Sequence, residues 1–168
     1  MNIYPKLYLE SVKEISIEIL YKNNIKGIIL DVDNTLIDFE KKIPEGIKDW
    51  VENMKKQNIK LCILSNSNRK EKIKNLAGGL KIPFIYFAKK PLKKGFQKAK
   101  QILDLPNEQI AVVGDQIFTD IIGANRNNMF PILVKPIDEK DIWITKIKRP
   151  IENRIIEKFK KVTNEKKV

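Results

Sequence analysis

Two carboxylates, Asp31 and Asp33, stand one residue apart at the end of a short apolar run, Ile28-Ile29-Leu30. On an extended chain, residues two apart point the same way. The pair therefore repels itself unless a cation sits between the two groups or one of them holds a proton. Followed by Asn34 and Thr35, such a pair suits acyl-phosphate chemistry. One carboxylate attacks phosphorus, the other handles a proton, and a hard divalent cation neutralises the site.

The inventory narrows the alternatives. The 168 residues contain no histidine and one cysteine, which excludes Ser-His-Asp triads, His-based zinc sites, phosphohistidine chemistry and a disulfide framework. Cys62 lies upstream of Arg69 with six residues between them, one more than cysteine-dependent phosphatases use. It sits inside the apolar run 59–64 and reads as a small core residue.

The elements that must position Asp31 and Asp33 follow from periodicity. The run before Asp31 is short enough for one buried strand. Pro44 opens a helix with Ile47, Trp50, Val51 and Met54 on one face. Residues 59–64 form a second strand, ending in Ser65-Asn66-Ser67-Asn68. A helix over 69–76 is stopped by Gly78-Gly79. Residues 84–87 form a third strand, followed by a helix carrying Phe96, Ala99 and Leu103. Residues 110–113 and 131–134 are a fourth and a fifth, with a helix to about Asn128 between them. Residues 1–24 are a lead-in of ambiguous period: Val12, Ile15 and Ile19 recur at helix spacing, Ile15, Ile17 and Ile19 at strand spacing. The expectation is an α/β fold, one domain over 1–168 with its core at about 25–135. A central parallel sheet of about five strands carries helices on both faces. Asp31 and Asp33, Ser65 and Asn66, Lys90, and Asp115 each follow a strand, so all belong to one edge, where open α/β sheets bind ligands.

Four segments in this order resemble the motifs of the haloacid dehalogenase-like (HAD) phosphatases: Asp31-Val32-Asp33-Asn34-Thr35-Leu36; Ser65-Asn66-Ser67; Lys90-Pro91-Leu92-Lys93-Lys94-Gly95-Phe96; and Gly114-Asp115-Gln116-Ile117-Phe118-Thr119-Asp120. The last segment with Gly123-Ala124-Asn125-Arg126 is similar to subfamily IIIA, which includes phosphatidylglycerophosphate phosphatases. The resemblance implies a Rossmann-like domain in which Asp31 is the nucleophile that becomes an aspartyl-phosphate and Asp33 is the general acid and base. It implies Mg²⁺ held by Asp31, the backbone carbonyl of Asp33, and Asp115, with Asp120 a further or water-mediated ligand. Ser65 and the Asn66 backbone would bind the phosphoryl oxygens, and Lys90 would balance negative charge. From the residues alone, Asp115 could also be a turn residue, Ser65 a helix cap and Asp120 an N-cap. Thr35 is expected to support the loop.

The gaps between Asp33 and Ser65 and between Ser65 and Lys90 leave no room for a cap domain, which favours a substrate that shields the site itself. The net charge is +12, and residues 146–168 carry nine Lys or Arg against three Glu. Such a balance favours anionic partners. The last helix is expected to start at Pro150 with Ile151, Ile155, Ile156, Phe159 and Val162 on one face. It could dock on the core or lie on anionic lipid. Residues 1–10 have no apolar core of a secretory signal and no run is long enough to cross a bilayer. A cytoplasmic location is expected, peripheral on the inner membrane face. The function expected is Mg²⁺-dependent dephosphorylation of phosphatidylglycerophosphate. The alternatives are a phosphatase for a nucleotide, sugar phosphate or phosphoprotein and, more remotely, an inert RNA-binding protein, which the lack of aromatics among the basic residues disfavours.

Overall fold

The computed structural model describes residues 2–138 and 143–165, without the side chains of 143–148 and 164–165. Six parallel strands form one sheet in the order β1-β6-β5-β2-β3-β4. They are β1 (Leu7–Leu9), β2 (Gly27–Leu30), β3 (Lys60–Leu64), β4 (Phe84–Ile85), β5 (Ile110–Gly114) and β6 (Phe130–Val134). The helices are α1 (Ile17–Lys22), α2 (Ile47–Lys56), α3 (Lys70–Leu80), α4 (Lys93–Leu103), α5 (Ile122–Arg126) and α6 (Trp143–Glu165).

β2 and β5 are buried along their whole length, which is why both read as unbroken apolar runs. Alternation along the strands divides the core. Ile28, Leu30, Leu61, Ile63, Ala111 and Val113 face α2, α3 and the N-terminal segment through Trp50, Val51, Met54 and Ile73. Ile29, Cys62, Leu64 and Val112 face the other way, onto Phe96, Ala99 and Leu103 of α4. Cys62 is fully buried, and burial pushes its thiol up to about 12. It is a core residue, as its neighbours in sequence imply.

The strand order creates a switch point. From β2 the chain moves outward through β3 and β4, then returns to β5 on the opposite side of β2. Connections therefore leave the β2–β5 boundary in opposite directions and open a crevice at the C-terminal edge. Leu30 is in register with Val113, and the Asp31 N–H donates to the Val113 carbonyl at 2.9 Å. Asp31 and Asp115 emerge side by side. Only a loop and α2 separate β2 from β3, and only α3 separates β3 from β4, so neither gap holds a cap domain.

Several boundaries differ from the sequence expectation. The sheet has six strands, not about five, because the lead-in contributes β1, paired with β6. After β1 come a 3₁₀ turn (Val12–Glu14), which Trp50 Nε1 secures by donating to the Ile15 carbonyl, and then α1. α2 starts at Ile47 rather than Pro44, after Gly46 at φ 85°. α3 runs through Gly78 and Gly79 to Leu80, which is 2% exposed. Burial of Leu80 and of Ala77 offsets the roughly 0.5–1 kcal/mol that each glycine costs inside a helix. β4 ends at Ile85, because Phe87 turns to φ 47° and its N–H bonds the Ser67 carbonyl. The segment after Asp115 is a π turn, Ile117–Ile121, that leads into the short α5.

α6 starts before Pro150, which lies inside it. Proline has no N–H and removes one intrahelical bond there. Of the expected apolar face, Ile155 and Ile156 pack on Ile117, Ile121, Leu133 and Tyr8. Ile151 and Val162 are exposed. The helix docks on the core, and the end of the expected basic segment, 166–168, lies outside the described residues, as does Met1.

Candidate active site

Lys90 organises the crevice. Its Nζ donates to Asp31 Oδ1 and to Asp120 Oδ1, each at 2.6 Å, with 3% of the side chain exposed. Burial alone would lower its pKa, but the Asp120 and Asp31 charges outweigh burial and hold it above its ordinary value. The backbone of Lys90 is fixed from across the crevice. Asn66 Oδ1 accepts its N–H at 2.6 Å and Asn66 Nδ2 donates to its carbonyl at 3.2 Å. The loop after β3 thus positions the ammonium that the loop after β4 delivers.

Asp31 also accepts from Thr35 Oγ1 at 3.3 Å. Burial pushes its carboxyl up to about 6, against the pull of Lys90 and with a push from Asp120. Asp33 stands apart. Its Oδ1 receives Lys72 at 2.6 Å and Lys41 at 3.4 Å, and the side chain is about half exposed. Burial raises its pKa less than Lys72 and Lys41 depress it, so Asp33 is a carboxylate below the ordinary range. Asp120 Oδ2 accepts the Gln116 N–H at 3.2 Å, reaching back across the π turn. The N-cap of α5 is Ile121, so Asp120 caps nothing that follows. Likewise the N-cap of α3 is Arg69, and Ser65 Oγ instead accepts the Ser67 N–H.

Asp115 is the orphan. Both its carboxylate oxygens are buried without a hydrogen bond among the described residues. The Arg149 guanidinium of α6 lies 3.9 Å from its Oδ2. Burial, then Asp31 and then Asp120 push its pKa well above the ordinary value, against Arg149 and Lys90. One oxygen from each of Asp31, Asp115 and Asp120 lies within 4.8 Å of the others. A hard cation with oxygen ligands at about 2.0–2.6 Å fits such a set and would supply what Asp115 lacks. The Asp33 carboxylate is outside this group.

Chelation therefore has a defined pH signature. A carboxyl whose folded pKa is raised contributes stability at low pH that is lost as pH rises, for Asp31 between about 4 and about 6. Asp115 acts in the same direction. The gap in melting temperature between Mg²⁺-loaded and EDTA-treated protein should widen from pH 5 to pH 7.5, a comparison in which the overall charge cancels. Asp115→Asn should raise the melting temperature of chelated protein at pH 7.5 and close the gap. A gap independent of pH would contradict the site.

Gly114 has a related role. A Cβ there would overlap the Asp120 carboxyl group. Gly114→Ala should displace Asp120, at a cost of about 1–3 kcal/mol in thermal unfolding, and weaken Mg²⁺ binding in a calorimetric titration.

The sequence reading missed Lys72, Lys41, Arg149 and Glu152. Glu152 of α6 is buried and accepts the Phe118 N–H at 3.2 Å, holding the π turn that carries Asp120. No local pattern in the sequence marks any of the four.

The family described as Mitochondrial PGP phosphatase matches residues 1–137. The chain belongs to this family. Its match extends through β1 and the whole crevice up to the residues after β6. Among curated relatives, the Bacillus subtilis protein named "Probable phosphatase YqeG" is 39% identical over 158 residues, covering 94% of this chain and 91% of its own length. Phosphatidylglycerophosphate phosphatase 1, chloroplastic/mitochondrial, of Arabidopsis thaliana is 23% identical over 168 residues. That match covers 94% of this chain and 48% of the plant protein. Among solved structures, an uncharacterized protein from Listeria monocytogenes serotype 4b superposes with a TM-score of 0.56 at 22% identity, covering 70% of this chain and 85% of that one. This last likeness concerns the fold alone. Family membership makes the chain a phosphatase acting on a phosphorylated substrate, and the four motifs that resemble those of the HAD-like phosphatases lie within the matched residues.

Proposed function

We propose that the chain is a Mg²⁺-dependent phosphomonoester hydrolase that dephosphorylates phosphatidylglycerophosphate through an aspartyl-phosphate on Asp31, bound peripherally at the cytoplasmic face of a membrane. The observation that carries this reading is the placement of Asp31 beside Lys90 and the orphaned Asp115 at the sheet's switch point. Asp31, the Asp33 carbonyl, Asp115 and Asp120 would hold the cation, which neutralises phosphoryl oxygens when bound.

The chain's own residues divide the remaining work. Asp31 attacks phosphorus while Lys90 offsets charge on the nucleophile and on the transferring group. Ser65 and the Asn66 backbone take up phosphoryl oxygens. Asp33 rests as a carboxylate, the form that later deprotonates water. As the general acid it needs a proton, and an approaching phosphoryl dianion raises its pKa by like charge. Asp33 then protonates the leaving oxygen, the ester O–P bond breaks, and phosphate is carried on Asp31 until water releases it.

The crevice bounded by Asp31, Asp33, Asn66, Ser67, Lys90, Gln116 and Thr119 encloses only about 80 Å³. It has room for a phosphoryl group, and the rest of the substrate stays outside. A lipid headgroup presented at a surface meets that condition, and the family name and the plant relative point to the same substrate. The test is phosphate release from phosphatidylglycerophosphate in mixed micelles, with Mg²⁺ and with EDTA, beside soluble monoesters. Mg²⁺-dependent release from the lipid is expected. Hydrolysis of the soluble esters with none from the lipid would remove the substrate assignment.

A further inference from the structure

Four of the large apolar side chains that stand exposed lie on the two loops flanking the crevice: Phe39 at 48%, Tyr86 at 38%, Phe87 at 52% and Leu92 at 53%. Phe39 is on the turn after Asp33, next to the Lys41 that reaches Asp33. Tyr86, Phe87 and Leu92 bracket Lys90, and Phe87 is tied by its N–H to Ser67 at the crevice wall. Each ring carries a lysine: Lys41 lies 6.0 Å from the Phe39 centroid, Lys70 5.8 Å from Tyr86 and Lys89 4.9 Å from Phe87. Phe87 is held at φ 47°, a conformation that a bulky residue rarely adopts. The loop turns this ring outward when an extended backbone would continue β4.

We infer that this rim is a docking surface for an anionic lipid bilayer, seating the mouth of the crevice against the headgroups. The inference rests on the lipid-substrate reading and adds where the membrane is met. Aromatic rings with lysine partners combine apolar area for the headgroup boundary with charge opposite to that of acidic lipids. On the Phe39 turn Glu40 is paired with Lys42 at 2.7 Å and Lys41 with Asp33 at 3.4 Å, so that turn offers chiefly its ring, and the charge that complements acidic lipid comes from Lys70 and Lys89 beside Tyr86 and Phe87. Such a surface differs from the basic last helix, which from sequence could dock on the core or lie on lipid and whose Ile155 and Ile156 are committed to the core.

The test is sedimentation of the full chain with vesicles of phosphatidylglycerol or of phosphatidylcholine. Neither lipid carries a phosphomonoester, so binding is read without turnover. Wild type should partition onto the anionic vesicles, and more weakly as salt is raised. Phe39→Ser combined with Phe87→Asn, the latter chosen because asparagine tolerates a positive φ, should weaken partition at least about tenfold. Lys89→Glu should weaken it at least about fivefold. Turnover of a soluble monoester should stay within about twofold of wild type in all variants, which also reports that they are folded. Partition unchanged by these substitutions would overturn the inference, as would partition abolished only by Ile151→Ser with Val162→Ser on α6. Failure here leaves hydrolysis of phosphatidylglycerophosphate in micelles untouched, and failure of that hydrolysis leaves vesicle binding untouched.

Discussion

Asp31→Asn should lower phosphate release at least about a thousandfold, while the melting temperature at pH 7.5 in EDTA stays level or rises. Among the described residues no other group is placed to take over the attack proposed for Asp31. Asp33 is held aside by Lys72 and Lys41, Asp115 and Asp120 are buried carboxylates of the candidate cation set itself, and Cys62 is a buried thiol pushed up to about 12. The thermal half of the result follows from the burial that pushes Asp31 up to about 6. The charged group is a burden in the cation-free fold, and the neutral amide of equal size can still accept from Thr35. Phosphate release and differential scanning calorimetry on the same samples check both halves. A variant retaining a tenth of wild-type turnover would exclude Asp31 as the nucleophile.

Lys90→Met should be the most damaging single change for stability. Removing the ammonium strands Asp31 and Asp120 without the ion pairs that each makes at 2.6 Å. Breaking a buried pair from one side costs about 3–5 kcal/mol, which for a chain of this length corresponds to a fall of about 10 °C in melting temperature. The loss should shrink at pH 5, where Asp31, whose carboxyl burial pushes up to about 6, can take up a proton, and turnover should fall by at least about a hundredfold at any pH. Thermal scans at pH 7.5 and pH 5 decide it. Equal losses at both would mean that Lys90 matters for packing and not for charge.

How much of this was legible beforehand depends on where each residue sits. Asp31 and Asp115 could be placed together because each follows a strong apolar strand, and parallel strands bring their C-terminal ends to one edge; Lys90 follows only the two-residue β4, and Asp120 came with the family resemblance alone. β1 could not be read, since it is three half-buried residues whose pairing partner lies more than a hundred residues away. The end of α3 was misjudged because glycines mark a stop only where nothing beyond them is buried, and Leu80 is. The charged groups that set the behaviour of Asp33 and Asp115, namely Lys72, Lys41 and Arg149, had no local pattern. Their roles come from reach across the crevice. The same holds for the side chain of Asn66, whose clamp on Lys90 joins positions 24 residues apart.

The two ends of the sheet carry one more consequence. β4 is two residues long and β1 only three, so neither margin offers a long row of unpaired peptide groups as a template for a second molecule. Short margins of this kind are a recognised defence against edge-to-edge aggregation. A molecule so built can be crowded to high local density without its copies joining strand to strand.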